Sequence, residues 1–329
     1  MLINDPKKFA IVCSTKNRPA FVRRTFMSLQ EQGFKGTLVL VDASDPDPAR
    51  ENREAVRAAQ FDAVYFEPGK KGNNWHETVE GMETLESECV LWHHDDDFYF
   101  LPAVERALAS VLATPEAVSA QGRELFLHAF DRPAAPDHPD NDIYLGLTPN
   151  PRVAYLGNTA LERLQAALAR YCLLTFAVTR REPFIETSRR VAEYFPKEGI
   201  FDPYAWTCSI LEYGTALLHD DLYALRQKHL RNYSRALGAL ENWPFLIVNP
   251  LFSKYVGDFG ACLAEAFFPS DKAVFWQIVY HGVVHLVSRG LGATHLDSQT
   301  ELKLGSEFLH GEAARKIKAL MRATTIGGE

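Results

Sequence analysis

The chain has 329 residues, 47% of them hydrophobic and 23% charged, so it can bury a large core and lacks the composition of a disordered protein. This length predicts one large α/β domain with additional elements, or two domains. The 35 Lys and Arg residues are outnumbered by 42 Asp and Glu residues, and the formal net charge of -7 argues against a nucleic acid as a partner.

The cysteines and the N-terminus indicate the compartment. The five cysteines are odd in number and widely spaced, mostly within apolar runs, which predicts reduced core residues and neither a disulfide framework nor a zinc site. The first ten residues, MLINDPKKFA, contain no apolar segment of the kind that a signal peptide needs. We therefore expect a cytoplasmic protein.

Strand and helix patterns alternate over roughly the first 120 residues, and this order is typical of parallel βαβ units. The predicted strands are Phe9–Cys13, Thr37–Val41, Ala63–Phe66 and Cys89–Trp92. Between them we expect a helix from Phe21 to Gly33 and a helix that Asn73 or Asn74 caps at its N-terminus.

The later part of the chain contains a predicted loop and several predicted helices. The segment from Asp131 to Pro151 has five prolines and no periodicity, which predicts a surface loop. Helices are predicted at Thr159–Arg170, Pro183–Tyr194 and Tyr204–Tyr213, and most of the chain after Tyr233 is helical by its periodicity. The predicted organisation is a domain of residues 1–232 followed by a helical C-terminal region of residues 233–329.

The sequence VLWHHDDDFYF, from Val90 to Phe100, ends a buried strand in three aspartates. Open parallel sheets bind ligands outside the carboxyl ends of their strands, and Asp95 and Asp97, two residues apart, point to the same side of an extended chain. Neighbouring carboxylates repel each other unless a cation lies between them, and Mg²⁺ and Mn²⁺ prefer such oxygen ligands. A solvated acidic turn or a helix N-cap before Pro102 is the alternative interpretation.

Aromatic residues surround the aspartates. Side chains alternate along a strand, so one of His93 and His94 is predicted to face the core and the other the cleft. We expect packing or support of the site from these histidines rather than ligation of a metal. Trp75 and Trp92 are expected to pack in the core.

Four motifs in order resemble the GT-A nucleotide-sugar glycosyltransferases of the family 2 type, over the chain from Phe9 to Asn232. They are STKNRP at Ser14–Pro19, LVLVDAS at Leu38–Ser44, KGNNWHETVEGM at Lys71–Met82 and VLWHHDDDF at Val90–Phe98. The resemblance implies a GT-A, Rossmann-like α/β fold, with a mostly parallel sheet flanked by helices. It also implies transfer of a sugar from a nucleoside-diphosphate sugar to a hydroxyl acceptor, with Mn²⁺ or Mg²⁺ as cofactor. The run DASD departs from the D-D-G-S common in the family, which leaves the nucleotide base undefined.

The resemblance further implies roles for individual residues. The nucleotide-sugar would be bound by Thr15, Asn17, Arg18, Asp42, Lys71, Asn74, Asp95 and Asp96. The metal would be held by Asp97, Asp95 and His229. A surface ion pair for Arg18, a solvated turn for Lys71 and a strand-end position for His229 are the alternative interpretations.

The family's later motif is an acidic pair followed by a helix and by a strand that ends near a histidine. FDPYAWTCSILEYG and TALLHDDLYALRQKH are similar to it, which places Asp202 at the general base of an inverting transfer, with Glu212 and Asp220 as alternatives. Such a base removes the proton of the acceptor hydroxyl as this group attacks the anomeric carbon. Phe201 occupies the position of the usual acidic residue before the base.

The sequence is compatible with two other functions. One is a metal-dependent phosphohydrolase or nucleotidyltransferase that uses the same carboxylates, and the other is a nucleotide-sugar-binding protein without catalysis. For a transferase, the acceptor is a saccharide, a lipid-linked molecule or another hydroxyl compound. The C-terminal helices could complete the acceptor site, form a homo-oligomer or contact a membrane peripherally. The final helix, GEAARKIKALMRATT, has a basic face that fits either anionic lipid or solvent.

Overall fold

The computed structural model describes residues 1–69, 72–131, 143–150, 152–196, 201–228, 252–267 and 299–323. Within them the strands are β1 Phe9–Thr15, β2 Thr37–Asp42, β3 Asp62–Phe66, β4 Cys89–His94, β5 Phe98–Tyr99, β6 Ala117–Asp131, β7 Ile143–Asn150, β8 Val178–Arg180 and β9 Thr215–Lys228. The α-helices are α1 Pro19–Glu31, α2 Pro46–Ala58, α3 Asn74–Met82, α4 Leu101–Ala113, α5 Ala160–Ala169, α6 Arg181–Tyr194, α7 Asp202–Ile210, α8 Phe252–Phe267, α9 Gln299–His310 and α10 Glu312–Ala323.

The strands form one sheet in the order β3-β2-β1-β4-β8-β6-β9-β5, and β7 pairs with β6. The first four strands of this order are parallel, and their register places Thr15 beside Asp42 and Ser14 beside His94. The carboxyl ends of β1, β2 and β4 therefore meet at one edge of the sheet, where the sequence predicts the ligand. The four strands predicted in the N-terminal part are confirmed.

Helices cover both faces of the sheet, because its parallel strands are apolar on both sides. Consecutive residues of β1 belong to different cores: Ile11 packs in a cluster with Phe26 and Leu108, and Val12 packs in a cluster with Phe184 and Trp206. The first cluster includes residues of α1 and α4, and the second includes residues of α3, α6 and α7. The site at the sheet edge is thus supported from two packed layers.

The turn between β1 and α1 depends on its residue types. Asn17 has a φ of 57°, in the left-handed region that asparagine adopts more readily than most residues. Pro19 occupies the first position of α1, where its missing N–H has no cost. The helix therefore begins two residues before the predicted Phe21, and it ends just before Gly33, which has a φ of 77°.

The prediction of a loop from Asp131 to Pro151 is wrong at Asp131 and at Ile143–Asn150, which lie in strands, and the other residues of this segment lie outside the described residues. Residues Ile143–Asn150 form β7, which pairs antiparallel with β6 from Glu124↔Asn150 to Asp131↔Ile143. Backbone pairing with β6 defines β7 as a strand. Its sequence, IYLGLTPN, has no strict alternation of apolar and polar residues.

The described C-terminal segments are helical, as predicted. Helix α8 packs against α6 and α7, and α9 packs against β6 and β7. The apolar residues of α10 are buried: Ala314, Ile317, Leu320 and Met321 lie in one cluster with Leu127. The final helix thus uses its apolar stripe for packing within the chain. Among the described residues no helix has the length and hydropathy that crossing a membrane requires. The predicted domain boundary near residue 232 lies outside the described residues.

Candidate active site

Asn17 ties the turn after β1 to the end of β2. Its backbone N–H donates to Ser44 Oγ at 2.7 Å, and its side chain exchanges two hydrogen bonds of 2.8 Å with Asp45. Because these contacts join two of the strand ends at the sheet edge, Asn17 shapes the rim of the site. Its predicted contact with a nucleotide stays a prediction.

Asp42, at the end of β2, is 1% exposed and accepts three hydrogen bonds from the chain. The donors are the backbone N–H of Ser44 at 2.9 Å, the side-chain amide of Asn52 at 2.9 Å and the Tyr65 hydroxyl at 3.0 Å. These contacts stabilise the turn between β2 and α2. A nucleotide at the predicted position would share the oxygens of Asp42 with these donors.

The first two aspartates after β4 contact the turn that follows β1. Thr15 Oγ1 donates to Asp95 at 2.6 Å, and one Arg18 nitrogen lies 3.1 Å from Asp95 and 3.3 Å from Asp96. The Asp95 carbonyl accepts a hydrogen bond from Thr25 in α1. Burial and the neighbouring Asp96 raise the pKa of Asp95 to about 6, while Arg18 and Thr15 act in the opposite direction.

Asp97 is held by β9. Its Oδ1 accepts from the backbone N–H of Gln227 at 3.0 Å, and its Oδ2 lies 2.6 Å from Arg226 Nε. The second contact is an ion pair without hydrogen-bond geometry. Burial raises the pKa of Asp97 to about 8, and Arg226 opposes that rise. Since a guanidinium is always charged, we take the close Arg226 contact as evidence that the carboxylate is ionised.

The two histidines face opposite sides, as predicted. His93 is 2% exposed, with its ring 4.6 Å from that of Tyr99, whereas His94 lines the cleft, with its ring 4.5 Å from that of Phe176. Burial lowers the pKa of His93 to about 4 and, together with Arg226, that of His94 to about 3. Both imidazoles are therefore neutral at neutral pH, which is the form that binds metals.

His94, Asp96 and Asp97 form a group that fits a divalent cation. Each offers one ligand atom, and these atoms lie within 4.8 Å of one another. His94 Nε2 is buried and has no hydrogen-bond partner in the part of the chain that the structure describes, so a ligand at this position would satisfy it. The group overlaps with the predicted ligands only at Asp97, because Asp95 is not part of it and His229 lies outside the described residues. Sequence reasoning assigned His94 to packing or support.

A cleft of about 290 Å³ opens beside this group. Its lining comes from β1 and the turn after it, from the start of α3 and from the end of β4: Ser14, Thr15, Lys16, Arg18, Gly72, Asn74, Glu77, His94 and Asp95. Four residues of this lining were predicted to bind the nucleotide-sugar. Another predicted residue, Lys71, lies outside the described residues.

Glu77 was missed by sequence reasoning. It lies in the first turn of α3, is 8% exposed, and accepts a hydrogen bond of 2.6 Å from the backbone N–H of Gly72. The side chain of Asn73 caps the same helix by accepting from the backbone N–H groups of Trp75 and His76. A capped helix start with a buried carboxylate therefore forms one wall of the cleft.

Asp202 is joined by a hydrogen bond to Trp75, a residue of α3. It is the first residue of α7 and 3% exposed, and its Oδ2 accepts a hydrogen bond of 2.8 Å from Trp75 Nε1. Trp75 directly follows Asn74, which lines the cleft. The two partners are 127 positions apart in sequence, so only the packing of α7 against the α3 side of the sheet brings them together.

The two alternative bases have other surroundings. Glu212 lies two positions beyond the C-terminal end of α7, whereas Asp202 begins this helix, and it accepts a hydrogen bond from Arg190 at 3.2 Å. The Asp220 side chain is 82% exposed and forms an ion pair with Arg123 at 2.7 Å. Neither contact involves a residue that lines the cleft.

The amino-acid sequence matches no model of a protein family and no curated protein. The three-dimensional structure, in contrast, is similar to solved structures. S. aureus TarS 1–349 in complex with UDP-GlcNAc gives a TM-score of 0.57 at 15% identity, over 95% of this chain and 83% of that chain. A second structure of TarS 1–349 gives 0.51 at 13% identity over the same shares. The complex of TarS 1–349 with UDP gives 0.50 at 13% identity, over 96% and 90% of the two chains.

The chain has the GT-A fold. The likeness extends over almost its whole length, and the parallel strands β3, β2, β1 and β4 with helices on both faces are the architecture that the four motifs predicted. At 13–15% identity the comparison establishes the fold alone. The candidate site lies at the carboxyl edge of this GT-A sheet.

Proposed function

We propose that this chain is a glycosyltransferase that moves a sugar from a nucleoside-diphosphate sugar to a hydroxyl acceptor. The observation that supports this most directly is the arrangement at the sheet edge. A polar cleft lies there beside the group His94, Asp96 and Asp97, and the buried carboxylate of Asp202 is attached to the same wall through Trp75. TarS, which has the same fold, has been solved with UDP-GlcNAc and with UDP.

The residues of the cleft suit an activated sugar with a diphosphate. Lys16 and Arg18 bring positive charge to the lining, and an arginine fork matches phosphate oxygens. Thr15 orients Asp95 by its hydrogen bond of 2.6 Å. Asn74 adds an amide that can donate to a hydroxyl or phosphate oxygen.

The group of His94, Asp96 and Asp97 would hold Mn²⁺ or Mg²⁺. When bound, such a cation offsets the negative charge that develops on the departing nucleoside diphosphate. The chain contributes a neutral imidazole and two carboxylates, which are suitable ligands for such a cation. Arg226 and the backbone N–H of Gln227 hold Asp97 in place.

Asp202 is the proposed general base. Trp75 holds one of its oxygens by a hydrogen bond, and the carboxylate lies in the first turn of α7. An ionised Asp202 accepts the proton of the acceptor hydroxyl as the oxygen attacks the anomeric carbon from the face opposite the leaving group, so the configuration inverts.

One observation favours a second candidate, a nucleotide-sugar-binding protein without catalysis. Phe201 occupies the position of the family's acidic residue before the base, is 1% exposed, and packs with its ring 5.8 Å from that of Phe259. An apolar core residue there removes one of the two carboxylates expected at the acceptor side.

A panel of UDP- and GDP-sugars, each with and without Mn²⁺, tests the proposal by thermal shift and by release of nucleoside diphosphate. We expect one donor to raise the melting temperature in the presence of Mn²⁺, and diphosphate release to require a hydroxyl acceptor. Asp96→Asn should lose the Mn²⁺-dependent shift, whereas Asp47→Asn, at an exposed ion pair with Arg50, should keep it.

The other outcomes distinguish the alternatives. Mn²⁺-dependent release to water at the same rate with and without acceptors would indicate a phosphohydrolase. Donor binding without turnover for any acceptor of a saccharide and lipid-linked panel would indicate a binding protein. Equal shifts for Asp96→Asn and wild type would contradict the assignment of the cation group.

A further inference from the structure

Three arginines of the chain lie against the three aspartates after β4. Arg18 lies between Asp95 and Asp96, with one nitrogen 3.1 and 3.3 Å from their oxygens, and Arg226 lies 2.6 Å from Asp97. Arg24, a third arginine, lies in α1. It is 3% exposed and donates a hydrogen bond of 3.3 Å to the backbone carbonyl of Asp96. Arg18 and Arg226 thus pair directly with the three carboxylates, and Arg24 places a third positive charge at the backbone of Asp96.

Of these three arginines, Arg18 has the most exposed side chain. Its side chain is 22% exposed, lines the cleft and lies 5.7 Å from the Phe21 ring centroid, so a ligand in the cleft would meet this guanidinium directly. Arg226 is 15% exposed and stacks on the Phe176 ring at 3.5 Å, and Arg24 lies under the cluster with only 3% exposure. The latter two are fixed by packing.

A divalent cation and Arg18 compete for the same carboxylate. The cation group contains Asp96, and the unpartnered Nε2 of His94 indicates that a ligand belongs beside it. A guanidinium and a divalent cation within about 4 Å of one oxygen repel each other strongly at the effective dielectric constant of a protein surface. A diphosphate relieves this repulsion, because it offers Arg18 new oxygens.

We propose that Arg18 is the resident counter-ion of Asp95 and Asp96 and transfers to the diphosphate of the donor when a divalent cation takes Asp96. Cation and nucleotide then bind with positive coupling, and each raises the affinity of the other by the same factor. Arg18 acts as a positioning residue that keeps the free protein from holding the cation alone. The inference rests on the cation site and the nucleotide site of the proposed function.

The test measures free Mn²⁺ by electron paramagnetic resonance during titration of the full chain, without nucleotide and with UDP or GDP. For wild type we expect the nucleotide to raise Mn²⁺ affinity by at least about tenfold. Arg18→Gln should bind Mn²⁺ alone about tenfold more tightly than wild type, which corresponds to about 1.4 kcal/mol, and its coupling factor should fall at least about threefold. Arg18→Lys keeps the charge and should keep the low affinity for Mn²⁺ alone.

The matched control is Arg23→Gln, on the same helix, whose side chain is 52% exposed and pairs with Glu51. It removes one positive charge near the site without touching the aspartates and should titrate like wild type. Circular dichroism confirms that each variant is folded.

Arg18→Gln binding Mn²⁺ alone no more tightly than wild type or Arg23→Gln would overturn the inference. If wild type binds no Mn²⁺ with or without nucleotide, both the inference and the cation part of the proposed function fail. If the coupling behaves as expected but no acceptor yields turnover, the proposed transfer fails and the inference stands.

Discussion

Replacing Asp202 by asparagine separates the chemistry of this carboxylate from its packing. Asp202 is 3% exposed, and its Oδ2 accepts a hydrogen bond of 2.8 Å from Trp75. An asparagine carbonyl oxygen can accept the same hydrogen bond, so about 1 kcal/mol is retained. Loss of the negative charge in the first turn of α7 costs about 0.3–1 kcal/mol. We therefore expect the free energy of unfolding of Asp202→Asn to lie within about 1 kcal/mol of the wild-type value.

The effect on turnover should be far larger. An amide cannot take the proton of the acceptor hydroxyl, and removal of a general base lowers kcat by about 10²- to 10⁴-fold. This range corresponds to about 3–5 kcal/mol of activation free energy. The KM of the donor should change by less than about threefold, because Asp202 acts on the acceptor.

Initial rates of nucleoside diphosphate release at saturating donor and acceptor, combined with urea denaturation, measure both effects. Asp220→Asn and Glu212→Gln are the matched controls, since each removes an alternative base that forms an ion pair with an arginine. We expect both to retain kcat within about twofold. The assignment is wrong if Asp202→Asn keeps more than about a tenth of kcat, or if one control loses about a hundredfold.

Three further predictions concern stability, measured by urea denaturation. Arg152→Met should lower the free energy of unfolding by about 3–5 kcal/mol, because the fully buried Glu124 carboxylate loses its cation. When the pH falls from 7.5 to 5, the free energy of unfolding of wild type should decrease by about 2 kcal/mol more than that of His93→Leu, because burial lowers the pKa of His93 to about 4. Gly81→Ala should cost about 1–3 kcal/mol, because the added Cβ collides with Val41 Cγ2.

The sign of the pH effect follows from which state takes up the proton. An imidazole in the unfolded chain is protonated below about 6.5, while folded His93 stays neutral to about 4, so folding stability falls as the pH drops through this window. Asp95 and Asp97, with raised pKa values, act in the opposite direction, but they titrate in both proteins and cancel in the comparison. Identical pH dependence for His93→Leu and wild type would contradict a buried neutral imidazole.

Two control substitutions accompany the other predictions. Arg106→Met removes an ion pair with Asp221 whose side chains are 50% and 41% exposed, and should change stability by less than about 0.5 kcal/mol. For Gly257→Ala, in α8, the added Cβ meets no atom of the described residues within 4 Å, so this substitution should stabilise the chain by about 0.4–1 kcal/mol. If Arg152→Met and Arg106→Met lower the free energy of unfolding equally, the argument from the buried Glu124 carboxylate is refuted. If Gly81→Ala is as stable as Gly257→Ala, the argument from the collision with Val41 is refuted.

The N-terminal half of the fold was predictable because its patterns are local. Buried strands such as β1 are short apolar runs, and Pro19 and Gly33 mark the limits of α1 by their own backbone preferences. Strand β7 was not predictable in this way. Its residues become a strand through pairing with β6, and this pairing is not visible in their own periodicity.

The candidate site was predictable in part. The position of the aspartates at the end of β4 follows from the strand pattern and from the rule that ligands bind at the carboxyl ends of parallel strands. The roles within the triplet do not follow, because they depend on which neighbours reach each carboxylate. Thr15 and Arg18 engage Asp95, whereas Asp97 is held by Arg226, which lies far along the chain.

The sequence by itself determined that this chain builds a parallel α/β sheet and delivers three carboxylates to its edge, since apolar periodicity and turn residues act over a few positions. Only the tertiary structure decided that His94 joins Asp96 and Asp97, and that Trp75 holds Asp202 across 127 positions. Such contacts arise when distant elements pack against each other, and side-chain chemistry then depends on burial and on the charges that the packing places nearby.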